Sequence, residues 1–397
     1  MKLKEQFKML VFLLTLPLAF AACDNDDNAS GEGLPIVVEK GVFVFNAGVQ
    51  SGGIEGSLSF IDTKAGEITN NVFKNVNGRS LGATVQDGVI LGSYLYIAVS
   101  ESNTVEVVNK NTLVSAAQIK PTEAQGSKPR DIVTDGKWIY VSMLSGHVSR
   151  INPETNQIDK TVKVGPNPEE MVIVNGNLYV TNSDGLNYEA GYVNGKSVSK
   201  ISLPTFEEEK KIPVGMNPSK IAADASGNIL VLCMGNYGDV PAVVWRINAE
   251  DTSEDTGIQA TLMAVKGNSL YTINAPFGTP EVKYTVYNTV DASVEKENFV
   301  SKPAESAANI AFDKKGDIFI TSYSLVGGMA SYDTPGYVNE YSSDGTFVKK
   351  YDAGVGAVYM AFLDLVDDEA LFLILFPAVH AFCLFFQQAE SIVFNGR

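Results

Sequence analysis

A chain of 397 residues with 35 glycines, 16 prolines and a net charge of −16 has ample length for a sizeable core and the composition of a turn-rich domain. The acidic balance excludes nucleic acid as a partner, because phosphates need a basic surface. His147 is the only histidine before residue 363, so His-rich metal sites are excluded there, and neither a Gly-x-Ser-x-Gly elbow nor a Cys-x-x-Cys pair occurs.

Residues 1–22 read as a secretory signal. Lys2, Lys4 and Lys8 precede an apolar run from Met9 to Phe20, and Ala21-Ala22 supplies the small residues of a cleavage site. Cys23 follows directly, so Phe20-Ala21-Ala22-Cys23 resembles a bacterial lipobox, with Phe20 where Leu is usual. A thiol placed at the cleavage point is what diacylglycerol transfer requires, which predicts Cys23 as the lipidated first residue of the mature chain. The acidic run Asp24-Asn25-Asp26-Asp27 resembles the export signal of surface lipoproteins in Gram-negative gut commensals. Residues 23–35 then form a lipidated acidic tether.

Residues 36–363 repeat. A glycine turn followed by a short apolar strand recurs seven times, at Gly41, Gly92, Gly136, Gly176, Gly227, Gly267 and Gly316. Phe43 and Phe319 lie 276 residues apart over six intervals, a mean repeat of 46. That length holds four short strands with their turns, one blade of a β-propeller. Within 164–214, Gly165-Pro166-Asn167-Pro168 reads as a turn, Met171 to Val174 as an inner strand and Leu178 to Thr181 as the second. Ser197 to Ile201 is the third and Lys210 to Val214 the outermost. No segment from 36 to 363 has helical periodicity. The opening residues 36–45 match a second strand with no inner strand before it, and 356–362 match an inner strand with no second strand after it. Pairing them completes the seventh blade and removes the open edges. The fold class is therefore all-β, a seven-bladed β-propeller whose N- and C-terminal strands close one blade. Residues 364–397, with the apolar run Ala370 to Phe386, read as an apolar tail foreign to the repeat, in preference to a membrane anchor. Cys233 reads as a small core residue.

Loops leading into inner strands and loops joining second to third strands emerge at one rim. The second-to-third loops are long and aromatic, with Tyr188 and Tyr192 in one, Asn236 and Tyr237 in the next, Phe277 in a third, and Tyr323, Tyr332 and Tyr337 in the last. Arg79 and Arg130 join them from loops leading into inner strands. Aromatic and amide groups gathered on one rim suit a large, partly apolar ligand. The competing expectation is that these aromatics pack on one another and only hold the loops. No catalytic residue, metal ligand or cofactor is predicted, although the abundant carboxylates leave open a bound Ca²⁺.

The copies Gly-x-Asn-Pro-x-x-Ile/Met (165–171 and 215–221) and Leu178-Tyr179-Val180-Thr181-Asn182 resemble YncE-like seven-bladed propellers over about residues 36–363. Met234-Gly235-Asn236-Tyr237-Gly238-Asp239, Asn77 to Gly82 with Gln86-Asp87, and Asn70-Asn71-Val72-Phe73 resemble the branch of surface lipoproteins encoded beside TonB-dependent outer-membrane transporters. The cobalamin-binding BtuG-type proteins belong to that branch. Phe45-Asn46-Ala47-Gly48 departs from the usual Asn-Glu-Gly. The resemblance implies a non-catalytic, surface-exposed outer-membrane lipoprotein, monomeric apart from its transporter, that captures a small molecule such as a corrinoid. The alternatives are a scaffold or adhesin using the same rim for protein or glycan, and a lactonase-type enzyme, which requires a carboxylate cluster at the central channel.

Overall fold

The computed structural model describes residues 38, 40–276 and 281–363. The predicted signal, Cys23 and its tether, Phe277 and the apolar tail lie outside the described residues.

Seven four-stranded antiparallel sheets follow one another along the chain. Blade 2 comprises Val85–Leu91, Tyr94–Val99, Thr104–Asn109 and Ser115–Ile119, from the inner to the outer strand. The inner strands of blades 3 to 7 are Pro129–Thr134, Pro168–Val174, Pro218–Ala223, Leu262–Lys266 and Ala307–Phe312. Blade 1 takes its inner strand from the far end of the sequence. Ala357–Leu363 pairs with Gly41–Asn46, with Val42 opposite Phe362 and Phe43 opposite Ala361. The expected closure is thus present, and no blade is left with an open inner edge.

Alternation along the strands makes the ring. The second strands are buried throughout, as in Tyr94–Val99 and Ile229–Cys233, because both faces pack on neighbouring blades. Outer strands such as Glu207–Pro213 alternate toward water. Apolar clusters fill the blade interfaces, for instance Tyr140, Val148, Leu178 and Val180 between blades 3 and 4. Each fully buried side chain of this kind contributes about 1.5–3 kcal/mol. The inner-to-second turns are tight. Asn175 and Gly176 both have positive φ (49° and 75°), the conformation a two-residue hairpin turn demands.

Two elements depart from the sequence expectations. A short helix, Val72–Asn77, links blades 1 and 2 and buries Val72 and Phe73. Six residues are too few to show periodicity. The inner strand of blade 4 begins at Pro168, not Met171, because a bulge between Pro168 and Met171 absorbs Glu169 and Glu170 into the strand. Equivalent irregularities occur in blades 2, 3, 5 and 7. Gly41 and Leu363 pair at the rim of tight turns, opposite the rim that carries the long loops.

Candidate functional site

The long-loop rim is built from pre-formed loops. In blade 4 the loop 183–196 winds around the buried Asp184, whose Oδ2 accepts from Asn187 Nδ2 and from the Asn194 amide, both at 3.0 Å. Gly195 passes so close to Ser183 that a Cβ would lie 2.0 Å or less from its carbonyl oxygen (1.9 Å). In blade 5 Asn236 Oδ1 accepts from the amides of Gly238 (3.0 Å) and Val240 (2.9 Å), and its Nδ2 donates to Asp239 (2.7 Å). These bonds turn the loop and hold Tyr237 outward at positive φ. The two loops are one surface. Asn217 donates its amide to Gly195 O at 2.7 Å, and Gly235 donates to Met216 O at 3.0 Å. Tyr192 and Tyr237 meet edge to face at 6.3 Å.

Of the residues expected at this rim, Tyr188 and Tyr237 are 65% and 63% exposed, whereas Tyr192 is buried beneath Tyr237. Tyr192 therefore supports the surface and does not form it. Across the ring, Tyr323 and Tyr332 meet edge to face at 4.8 Å, with Tyr332 largely exposed. Between them the blade 7 loop forms a small hairpin, Leu325–Val326 with Met329–Ala330. Tyr337 is not in this loop. It lies in the strand Pro335–Tyr341, buried, and its hydroxyl accepts from the Glu305 amide at 2.9 Å. Thirteen large apolar side chains are exposed among the described residues, and nine of them sit in the second-to-third loops of blades 4 to 7. The other four (Val114, Val290, Val294 and Val348) occupy turns of the opposite rim or outer strands. The apolar exposure therefore forms a crescent on one face.

The two arginines are not part of that crescent. Arg79 follows the short helix and lies on the flank of blade 2, donating to Glu106 at 2.6 Å and to Ser115 Oγ at 3.1 Å. Arg130 is a strand residue, contrary to its expected place in a loop. It donates to Glu169 Oε2 at 2.6 Å and to Gln86 Oε1 at 2.7 Å, at the mouth of the central channel. The two share no partner.

Below Arg130 lies a cluster that sequence reasoning missed. One inner-strand position is equivalent in every blade, occupied in turn by Asp87, Asp131, Glu170, Lys220, Leu262, Asn309 and Tyr359. Each acid reaches sideways to the next blade. Asp87 Oδ2 accepts from the Ile132 amide (3.3 Å), Asp131 Oδ2 from Met171 (2.8 Å) and Glu170 Oε2 from Ile221 (3.2 Å). Glu170 Oε1 also accepts from Lys220 Nζ and the Tyr359 hydroxyl, both at 2.6 Å. Burial pushes the Asp87 carboxyl up to about 6. Burial, reinforced by the Asp87 and Glu170 charges, holds Asp131 well above the usual carboxylate range. Burial and the Glu170 charge likewise raise the Tyr359 phenol. The signal was present in the sequence as an acid directly before the buried residue of three successive inner strands, Asp87-Gly88, Asp131-Ile132 and Glu170-Met171.

This cluster has the carboxylates a lactonase-type site needs. Both oxygens of Glu170 and one each of Asp87 and Asp131 accept hydrogen bonds from a neighbouring blade, which ties adjacent blades together. No group of His, Cys, Asp and Glu suited to holding a metal occurs among the described residues. Cys233 is buried in blade 5, and burial raises its thiol. No helix among the described residues is long and apolar enough to cross a membrane.

A family model described as a domain of unknown function (DUF5074) matches residues 40–185, which span the three N-terminal strands of blade 1, blades 2 and 3, and half of blade 4. No curated protein matches the chain in sequence. Among solved structures, hydrazine synthase from Kuenenia stuttgartiensis is similar, with a TM-score of 0.52 at 16% identity, covering 69% of this chain and 90% of that chain. At that identity the likeness concerns the fold alone. Together with the seven sheets it makes this chain a β-propeller that carries a segment similar to a domain of unknown function.

Proposed function

We propose that the protein is a non-catalytic binding protein that holds a large, partly apolar ligand on the loop rim of blades 4 to 7, with a corrinoid as the first ligand to test. The observation that carries this reading is the crescent, nine of the thirteen exposed large apolar side chains gathered on one face of an otherwise acidic molecule. Its loops are held by internal hydrogen bonds, so little conformational entropy is lost when a ligand lands. Tyr188 and Tyr237 offer flat amphipathic faces to a macrocycle, and the channel-mouth amide of Gln86 and the Arg130–Glu169 pair lie on the same face for polar arms.

The lipobox at Cys23 supports attachment to an outer membrane, facing outward, where a TonB-dependent transporter would receive the ligand. Calorimetry with cyanocobalamin tests the ligand. Saturable heat supports the reading, and no heat at micromolar concentration removes the corrinoid. A second reading, docking of a protein or glycan, is favoured by the blade 7 hairpin. Its exposed Leu325, Val326 and Met329 are aliphatic and suit a protein surface better than a ring face.

A further inference from the structure

A cleft of about 260 Å³ opens on the loop rim between blades 6 and 7. Its origin is a change in the linker that leads into each inner strand. In blades 4 and 5 that linker ends in a left-handed asparagine before proline, Asn167-Pro168 and Asn217-Pro218. Asn167 fills its junction by donating to Leu144 O at 2.9 Å and accepting from the Leu186 amide at 3.0 Å. In blade 7 Ser306 holds the same place, since Tyr323 donates to its carbonyl as Ser183 does to that of Asn167. Ser306 is flanked by Ala304, Glu305 and Ala307. Small side chains where an asparagine packs elsewhere leave the space empty.

The walls are mixed, with Leu262, Ala275, Val282 and Ala307 beside Thr261, Glu305 and Ser306. The polar atoms of Tyr284 and Thr261 are already engaged, the first donating to Ala304 O at 2.9 Å and the second to Ile273 O at 3.1 Å. Glu305 is an exposed member of this lining. Its backbone is fixed by the Tyr337 hydroxyl, while its carboxylate has no hydrogen-bond or ion partner among the described residues. The volume lies below the roughly 300–1,000 Å³ of a drug-sized ligand site, so the cleft suits one chain and not a whole macrocycle. An aliphatic stem satisfies the walls, and a cation at its end satisfies Glu305.

We propose that this cleft is a binding site for a primary alkylammonium group, the aliphatic stem lying on Leu262 and Val282 and the ammonium pairing with Glu305. The site does not depend on the corrinoid reading. It is tested by NMR titration of the full chain with n-hexylammonium, n-hexanol and hexanoate at millimolar concentrations, with N-acetyl-lysine methylamide as a further arm. Hexylammonium should perturb resonances around Glu305 and Ala307, hexanol should bind at least tenfold more weakly, and hexanoate should not bind. Whichever of hexylammonium and the lysine derivative binds tighter identifies a free amine or a lysine side chain as the source. Glu305→Gln, an exposed substitution that leaves the fold intact, should weaken hexylammonium at least tenfold, and Ala307→Leu should abolish it by filling the cleft. Equal binding of hexanol, unchanged binding by Glu305→Gln, or no perturbation by hexylammonium would overturn the proposal.

Discussion

The Tyr359 hydroxyl donates to Glu170 Oε1 at 2.6 Å, and these two residues belong to blades 1 and 4. Inner strands of blades so far apart around a seven-membered ring can meet only across the central channel. Lys220 of blade 5 joins them, bonding to the same oxygen and lying 4.8 Å from the Tyr359 ring centroid. The strand that closes the ring is therefore also tied through the channel to its middle.

Removing Glu170 should cost far more than removing the tyrosine hydroxyl. Tyr359→Phe deletes the hydroxyl's hydrogen bonds with Glu170 and Lys220 but leaves those two paired with each other, a loss of about 1–2 kcal/mol. Glu170→Ala strands a largely buried ammonium and the Ile221 amide, a loss of about 3–5 kcal/mol. Urea denaturation of both variants checks the order. Equal losses would show that the cluster carries little of the fold.

The Asp87–Asp131 pair should make stability fall as pH rises. Both carboxyls titrate higher in the folded chain than the ~3.9 of an unfolded aspartate, with Asp87 at about 6. Between these values the folded state binds more protons, so stability is greatest at the acid end of this window and declines through pH 6. Asp131 is also raised, so it adds to the decline. Asp131→Asn, which removes one of the two titrating carboxyls, should flatten the slope. Melting temperatures from pH 4 to 8 for both proteins check this, and parallel curves would contradict it.

Gly88 sits where Asp131-Ile132 and Glu170-Met171 carry side chains, because Phe45 of the neighbouring blade fills the space. A Cβ at Gly88 would lie 2.4 Å from Phe45 Cζ and 2.9 Å from the Tyr96 carbonyl oxygen. Gly88→Ala should therefore destabilise by about 1–3 kcal/mol through overpacking. Adding Phe45→Leu should recover part of the loss, as read by chemical denaturation, and no recovery would place the strain elsewhere.

The architecture was legible because it is repeated. Seven glycine turns before apolar strands, six of them with an aromatic, and complementary missing strands at Phe43 and Ala361, are local patterns that only a closed ring satisfies. The rim was legible in part. Tyr188, Tyr237 and Tyr332 are exposed as expected, but Tyr192 and Tyr337 turned inward, and one-sequence reading does not tell which tyrosine of a loop packs beneath another. Arg130 and the acidic cluster were hidden by bulges. An extra residue before Ile132 and Met171 reads as turn in the sequence, while in the structure it directs Asp131 and Glu170 into the channel. The blade 6–7 cleft rests on what is missing from a repeat, an asparagine replaced by Ser306, and absences are faint in sequence.

The most direct test of rim binding compares two variants in a cyanocobalamin titration. One removes the crescent aromatics, Tyr188→Ala with Tyr237→Ala. The other removes exposed apolar groups elsewhere, Val290→Ser with Val348→Ser. Loss of two interface anchors should weaken binding by about 2–4 kcal/mol, and the second pair should leave it unchanged. Equal effects from both pairs, or unaltered affinity in the first, would contradict the assignment of this face as the binding surface.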